Sequence, residues 1–144
     1  MVTEIKKETV KALLIDPENE KVTEIELTRG DGGSLLRELC RVIGCGLVDV
    51  MRDCVIANGK LKNDDIWVDD MALDNPTYFF RIAPWWTEYM AGRAVILGHD
   101  DDGESTDHSL TPEDLEDLRK HVKFANIEDF RRGTKIPCIN GQEG

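Results

Sequence analysis

The 144-residue chain has no long apolar segment. Its longest wholly apolar stretches, such as residues 12–15 and 94–97, have four residues, whereas a membrane-spanning helix needs roughly 18–20. The first eight residues carry charges but no apolar block followed by small residues, so they do not resemble a secretory signal. We therefore expect a cytoplasmic protein that does not cross a membrane.

Paired cysteine motifs are also missing. None of the four cysteines (Cys40, Cys45, Cys54 and Cys138) belongs to a Cys-x-x-Cys pair or lies near a histidine at zinc-finger spacing. A tetrahedral zinc site is therefore disfavoured, and we expect the cysteines to behave as small hydrophobic residues. The sequence predicts no cofactor.

Basic residues are absent from two windows of the chain. Residues 63–80 contain five acids and residues 99–118 contain nine, with no Lys or Arg in either. The remaining residues carry 18 basic and 15 acidic groups, a balance of +3, so the formal charge of −11 arises in these windows. Such windows repel phosphate backbones and attract basic surfaces or divalent cations, which disfavours direct nucleic-acid binding through them. The alternative is that the acids only solvate turns and a helix N-terminus.

The N-terminal third predicts a hairpin followed by a helix. Residues 9–15 and 22–27 alternate or are continuously apolar, and Asp16-Pro17 opens a turn between them. Ser34 is the predicted N-cap of an amphipathic helix of about ten residues, which ends before Gly44.

The middle of the chain predicts a β-meander. Strand-like runs occupy residues 47–51, 55–57 and 66–68, and Asn58-Gly59 is a strong hairpin turn signal. Residues 78–82 fit either a strand or the end of a helix that starts near Asp69, and this alternative stays open.

The C-terminal third predicts a strand at residues 93–97, a turn at Asp102-Gly103 and a helix with Thr111 as N-cap and Pro112 at its first position. A shorter helical unit at residues 126–133 follows. We expect an α+β fold, a small mostly antiparallel sheet or meander with two or three packed helices. The expected organisation is an N-terminal extension at 1–10, a single domain at 11–124, and a short C-terminal helix with a loosely ordered tail at 125–144.

The acidic turn is a candidate metal site. Residues 100–104 offer the oxygen ligands that Ca²⁺ and Mg²⁺ take, but alignment with an EF-hand loop puts Gly98 and Ser109 at the two anchoring carboxylate positions. The turn is therefore no EF-hand. Paired strands would bring His99 within diagonal reach of His108, and Asp107 makes a third candidate ligand for a transition metal. A solvated acidic turn needs no metal.

No catalytic motif is present. Ser34 after two glycines is better explained as a helix cap than as a nucleophile, and residues 30–33 lack the lysine of a P-loop. A folded cleft could still pair carboxylates as acid and base, although the sequence selects no pair. The carboxylates available for it are Asp64, Asp65, Asp69, Asp70 and Glu88.

Residues 84–90 place two of the three tryptophans in a loop between strands. Trp85, Trp86 and Tyr89 form either a lid on the core or a surface for a partner, because such rings give large contact area at low entropic cost.

Several segments together resemble the family called domain of unknown function 3846. The resemblance runs from about residue 11 to residue 122. Its motifs are Lys-Ala-Leu-Leu-Ile-Asp-Pro at 11–17, Ile-Gly-Cys-Gly-Leu-Val-Asp-Val at 43–50, Ile-Trp-Val-Asp-Asp at 66–70, Asn75-Pro76, and Ala-Gly-Arg-Ala-Val-Ile-Leu-Gly at 91–98 with Asp-Asp-Asp-Gly at 100–103. The resemblance implies a bacteriophage, mobile-element or bacterial setting and brings no activity with it.

The leading functional prediction is a non-enzymatic interaction module that binds another protein through the aromatic loop and an acidic surface. The predicted partner-binding residues are Trp85, Trp86, Tyr89, Asp100, Asp101, Asp102 and Glu104. The alternative is a small-ligand- or metal-dependent enzyme that uses carboxylates from both acidic windows.

Overall fold

In the computed structural model, which describes residues 8–72 and 76–131, the first two strands form the predicted hairpin. β1 (Thr9–Asp16) pairs along its whole length with β2 (Lys21–Thr28). The Asp16 carboxylate accepts hydrogen bonds from the backbone N–H groups of Glu18 at 3.2 Å and Asn19 at 3.4 Å. These bonds fix the turn, because an aspartate in this position competes with water for the turn's free donors.

The largest sheet joins segments that are distant in the sequence. β1 pairs with β9 (Ala94–His99), β9 with β6 (Asp64–Asp69), and β6 with β3 (Val48–Met51), all antiparallel. A short strand, β10 (Ser105–Thr106), pairs with the end of β9. The predicted meander is therefore wrong: β6 pairs with β3 on one edge and with β9 on the other, while residues 55–62 form a separate hairpin.

A small hairpin is inserted between β3 and β6. β4 (Val55–Ala57) pairs with β5 (Lys60–Lys62) through Asn58 and Gly59, whose φ angles are +52° and +71°. Positive φ at both positions is the two-residue turn that Asn-Gly favours, so that part of the prediction is confirmed.

A three-stranded sheet packs beside the largest one, in the order β11-β7-β8. β7 (Tyr78–Ile82) is a strand, which resolves the open alternative, and β8 is Met90–Ala91. β11 (Val122–Asn126) was not predicted. Val122 begins this strand, because its segment pairs with β7 in full register.

The first helix, α1, spans Leu36–Ile43, eight residues where about ten were predicted. Its N-cap is Leu35, and the predicted cap, Ser34, lies one residue earlier. Ser34 Oγ still accepts a hydrogen bond from Leu36 N–H at 3.1 Å. Gly44, with φ +82°, ends the helix.

The second helix, α2 (Pro112–His121), begins where the sequence predicts. Thr111 accepts from the Asp114 N–H while the Asp114 carboxylate accepts from the Thr111 N–H, which is a complete capping box. A short helix, α3 (Ile127–Arg131), follows β11. The predicted tail lies outside the described residues.

The largest sheet separates two apolar clusters. Along β9, Ala94 and Ile96 belong to one cluster, while Val95 and Leu97 belong to the other, which α1 covers. Over the range that the structure describes, no helix has both the length and the hydropathy to span a bilayer. The chain is α+β, as the sequence predicts.

Candidate functional site

The two acidic windows meet at one end of the largest sheet. The register of β6 on β9 sets Asp64 opposite Gly98 and Asp65 opposite Leu97. His99, at the end of β9, therefore lies diagonally across from Asp65. Both aspartates are 0% exposed, and since neighbouring strand residues point to opposite faces, they enter different clusters of the core.

Asp65 is held by three donors. Its Oδ2 accepts from Arg52 Nη1 at 2.7 Å and lies 3.0 Å from His99 Nδ1, while its Oδ1 accepts from the Asp53 N–H at 3.1 Å. A buried carboxylate is tolerated when it is paired and its oxygens are bonded, and both conditions hold here. Asp65 thus ties the connection after β3 to the end of β9.

The imidazole of His99 is oriented by Asp65. An ionised carboxylate only accepts, so Nδ1 carries the proton in this contact and Nε2 is left as an acceptor or a metal ligand. Nε2 lies 4.0 Å from Asp53 Oδ1. One ligand atom each from Asp53, Asp65 and His99 lies within 4.8 Å of the others, and no second such group occurs among the described residues. We call Arg52, Asp53, Asp65 and His99 the Asp65 centre.

Asp64, on the opposite face, has a different environment. Its Oδ2 accepts from the Ser109 N–H at 2.9 Å, while its Oδ1 is buried and has no hydrogen-bond partner within the described part of the chain. The strand beside it is tightly packed: a Cβ at Gly98 would lie 2.4 Å from the Asp107 carbonyl oxygen. This close approach requires glycine at position 98.

A cavity of about 290 Å³ lies on the α1 face, and its walls are formed by neighbours of the Asp65 centre rather than by the centre itself. Its lining includes Arg29, Ser34, Trp67 and Ser105. Arg29 braces one wall, since its guanidinium donates to the carbonyl of Gly33 at 2.9 Å and to that of Ser105 at 2.8 Å. Trp67 links the cavity to the centre, because the Arg52 guanidinium lies 5.9 Å from its ring centroid.

The three predicted transition-metal candidates have different partners in the structure. His99 joins the Asp65 centre, whereas Asp107 Oδ1 accepts from the Lys11 N–H at 2.9 Å. His108 Nε2 lies 2.8 Å from Glu24 Oε2, across the sheet edge. His99 is thus grouped with acids that precede it in the sequence.

Of the carboxylates considered for an acid–base cleft, Asp65 reaches His99. Asp69 lies at the opposite end of β6, where its Oδ1 accepts from the Met71 N–H at 2.8 Å. Sequence reasoning missed Arg52 and Asp53. Two features of the sequence point to the centre. One is the pair Asp64-Asp65 at the start of the buried strand β6, and the other is the pair Arg52-Asp53 directly after β3.

The acids of residues 100–104 are exposed in the turn between β9 and β10. Asp100 Oδ1 accepts from the Asp102 and Glu104 N–H groups at 2.9 and 3.0 Å. These local bonds give Asp100 a structural role in the turn. The side chains of Asp101 and Asp102 extend toward solvent.

Asp114 is buried at the start of α2. Burial acts to raise its pKa, but the Thr111 N–H and the side chains of Lys62 and Asn58 outweigh it and lower the pKa to about 2. Lys62 Nζ lies 3.0 Å from its carboxylate, and Asn58 Nδ2 donates to it at 2.6 Å. The second window therefore contains structural acids as well as exposed ones.

The aromatic loop is divided between core and surface. Trp86 is half-buried and packs on Phe80 with ring centroids 5.7 Å apart, and the half-buried Tyr89 lies 5.5 Å from the Arg81 guanidinium. Trp85 is 39% exposed and rests on His121 with a centroid separation of 4.9 Å.

Trp85 and the acidic turn belong to opposite ends of the largest sheet. Trp85 rests on the last residue of α2, and Arg119 in that last turn donates to the Val22 carbonyl at 3.0 Å. Val22 pairs with Ile15, which pairs with Ala94 at the start of β9. The acidic turn follows His99, at the other end of this strand.

Cys45 and Cys54 lie in surroundings that disfavour the thiolate. Burial raises the pKa of the Cys45 and Cys54 thiols to about 11 in each case, with neighbouring aspartates adding to the effect. Neither is a nucleophile at neutral pH.

Comparison with known proteins identifies the family. The sequence profile of the domain of unknown function 3846 matches residues 10–123, and the chain belongs to this family. No curated protein matches the chain, and no solved structure matches it.

Proposed function

We propose that this member of the domain of unknown function 3846 family is a protein-interaction module of phage, mobile-element or bacterial origin that works in the cytoplasm. The observation that supports it is the partial exposure of Trp85, 39%, on a loop whose other aromatic rings are packed. Tryptophan is among the residues that most often dominate the energetics of protein interfaces.

The loop that presents Trp85 is fixed at several points. The Trp86 N–H donates to the Ile82 carbonyl at 2.8 Å, and Arg81 Nη1 donates to the Trp86 carbonyl at 2.7 Å. The Ala83 N–H donates to the His121 carbonyl at 2.8 Å. A ring held in place before binding loses little conformational entropy on contact, which favours its use as an anchor.

The exposed acids of residues 100–104 form a second contact surface in this proposal. Because they lie at the other end of the sheet from Trp85, they steer a basic partner during approach rather than surround the tryptophan. The contact of Trp85 sets the lifetime of the complex, and the charge of residues 100–104 sets its rate of formation.

Crosslinking tests this proposal. A photoreactive amino acid at position 85 should capture a specific partner in lysate of the host cell, while the same probe at Leu61, which is 63% exposed, should not. Trp85→Ala should lose that partner in pull-downs, with Leu61→Ala as the matched control. Recovery of the same partners by Trp85→Ala, with its fold intact, would refute the proposal.

A second candidate, an enzyme that uses a small ligand or metal, is favoured by one observation: Asp65 and His99 come from different acidic windows and lie 3.0 Å apart. Thermal melts in the presence of nucleotides, sugars and amino acids provide its test. A ligand that raises the melting midpoint of the native chain but not of His99→Gln would support it, and no shift with any of them would remove its basis.

A further inference from the structure

We propose that Asp53 and His99, with Asp65 behind them, form a binding site for one divalent transition-metal cation of the Zn²⁺ or Mn²⁺ type. The site is independent of the Trp85 surface. It lies where the connection after β3 meets the ends of β6 and β9.

The position of Asp53 is fixed by its backbone. Its N–H donates to Asp65 Oδ1 at 3.1 Å, and its φ of +50° lies in the left-handed region, which aspartate tolerates better than most residues. The Asp53 carboxylate is about half exposed, and its Oδ1 lies 4.0 Å from His99 Nε2. Stabilisation of the buried Asp65 explains the positions of Arg52 and His99. It does not explain the position of the Asp53 carboxylate.

The distance between the donor atoms suits a shared ion. Ligand atoms that each lie about 2.1 Å from one metal ion are separated by roughly 3–4 Å. His99 Nε2 and Asp53 Oδ1 are 4.0 Å apart, so a movement of a few tenths of an ångström closes them on a cation. Their approach needs no rearrangement of the sheet.

The donor types select the class of metal. An imidazole nitrogen with a carboxylate suits Zn²⁺, Mn²⁺ and their neighbours, whereas Ca²⁺ and Mg²⁺ prefer oxygen ligands alone. Two protein ligands leave other coordination positions for water or for a ligand. We therefore expect an open, exchangeable site rather than a closed structural one.

Asp65 acts as a positioning residue in this arrangement. Its contact with His99 Nδ1 fixes the tautomer that presents Nε2, the relay in which a carboxylate orients a metal-binding histidine. Its own negative charge is balanced by Arg52 at 2.7 Å. Direct ligation by Asp65 would first have to displace that guanidinium.

The positive charge of Arg52 opposes cation binding. A variant without this charge should therefore bind the cation more tightly than the native protein. Its side chain is 46% exposed, and replacing it removes the contact with Trp67 and the 2.7 Å bond to Asp65. Removal of a positive charge this close should raise the affinity for a divalent cation by about fivefold to tenfold.

The test is a Zn²⁺ titration of the full chain without an affinity tag, followed by calorimetry, together with Mn²⁺-induced line broadening in amide NMR spectra. We expect one saturable site and broadening centred on residues 52–54, 65 and 99. His99→Gln and Asp53→Asn should each weaken Zn²⁺ binding by at least about tenfold, and Arg52→Gln should tighten it.

His121→Gln is the matched control. His121 also lies beside an aspartate, with Nδ1 3.5 Å from Asp117 Oδ2, but no second carboxylate joins this pair among the described residues, so its replacement should leave Zn²⁺ affinity unchanged. Asp53→Asn removes no buried contact of its side chain, and it remains informative if His99→Gln unfolds.

Three results would overturn the proposal. The first is the absence of saturable Zn²⁺ binding up to about 1 mM. The second is unchanged affinity in a folded Asp53→Asn variant. The third is broadening that centres on residues 100–104 and disappears when Asp100, Asp101 and Asp102 are changed to asparagine, which would assign the cation to the exposed turn.

Discussion

Asp64 and Asp65 form one dense run of acidic residues in the chain, and residues 100–104 form another. The two runs have opposite environments in the fold. The first pair is 0% exposed at the start of a central strand, whereas the second run is exposed in a turn between strands. Charge density in the sequence therefore does not measure surface potential. Position within a strand or a turn decides whether an acid becomes a structural partner or a solvated group.

Among the substitutions considered, replacing Asp65 should cause the largest loss of stability. Asp65→Ala leaves Arg52 and His99 without their carboxylate and leaves the Asp53 N–H without an acceptor, so we expect a loss of about 3 kcal/mol in the free energy of unfolding. Urea denaturation measures it. Asp101→Ala is the control and should change the value by less than about 0.5 kcal/mol; equal losses would show that burial does not separate the two runs.

Gly98→Ala should have the next largest effect. The new Cβ would lie 2.4 Å from the Asp107 carbonyl and 2.9 Å from Thr106 Oγ1, so either the end of β9 or residues 106–107 must move. We expect a loss of about 1–3 kcal/mol from overpacking. Gly46→Ala is the matched control, since nothing lies within 4 Å of its Cβ position. A small loss at position 98 would mean that the contact relaxes freely.

Asp114, a buried acid of the second window, should contribute to stability in a way that depends on pH. Its folded pKa, about 2, lies below the ordinary value of 3.8, so its ionised form stabilises the fold above pH 3.8 and this contribution is lost as the pH falls through about 2. Asp114→Asn should cost about 1 kcal/mol near neutral pH.

The measurement for Asp114 is a series of urea titrations of both proteins between pH 6 and pH 2. The difference in unfolding free energy should shrink toward the acid end of the series. Glu113→Gln, an exposed acid in the same helical turn, should show only a few tenths of a kcal/mol. A difference that stays constant with pH would contradict a lowered pKa at Asp114.

Neutralising the exposed run should have the smallest effect on stability. Asp101→Asn with Asp102→Asn should leave the free energy of unfolding within about 0.5 kcal/mol of the native value, because neither side chain has a described hydrogen-bond partner. Thermal and urea denaturation at low salt provide the measurement. A clear gain in stability would show that repulsion among these acids strains the turn.

Local chemistry explains which elements were predicted. Asp16-Pro17, Asn58-Gly59 and the Thr111 capping box each contain the residues that form the turn or cap, so the sequence is sufficient to place them. β11 escaped prediction because its five residues follow α2 directly, without a glycine or proline to end the helix. Pairing with β7, some forty residues earlier, makes them a strand.

The candidate site could be predicted only in fragments. His99 and Asp65 were each considered, but in different pairings, since residues 34 positions apart meet only through the register of β6 on β9. Arg52 and Asp53 have no motif of their own. Their part depends on where β3 ends against β6, and the turn signals of residues 47–68 favoured a different order of strands.

The turns, the Thr111 helix cap, the alternation that forms the hairpin, the α+β class and the family could all be predicted from the sequence, because these depend on neighbouring residues. The tertiary structure alone decided which acids are buried. That outcome depends on β6 lying between β3 and β9, which places Asp65 opposite Leu97 and within reach of His99. A charge in the chain becomes a site only when distant donors surround it, and strand order brings those donors together.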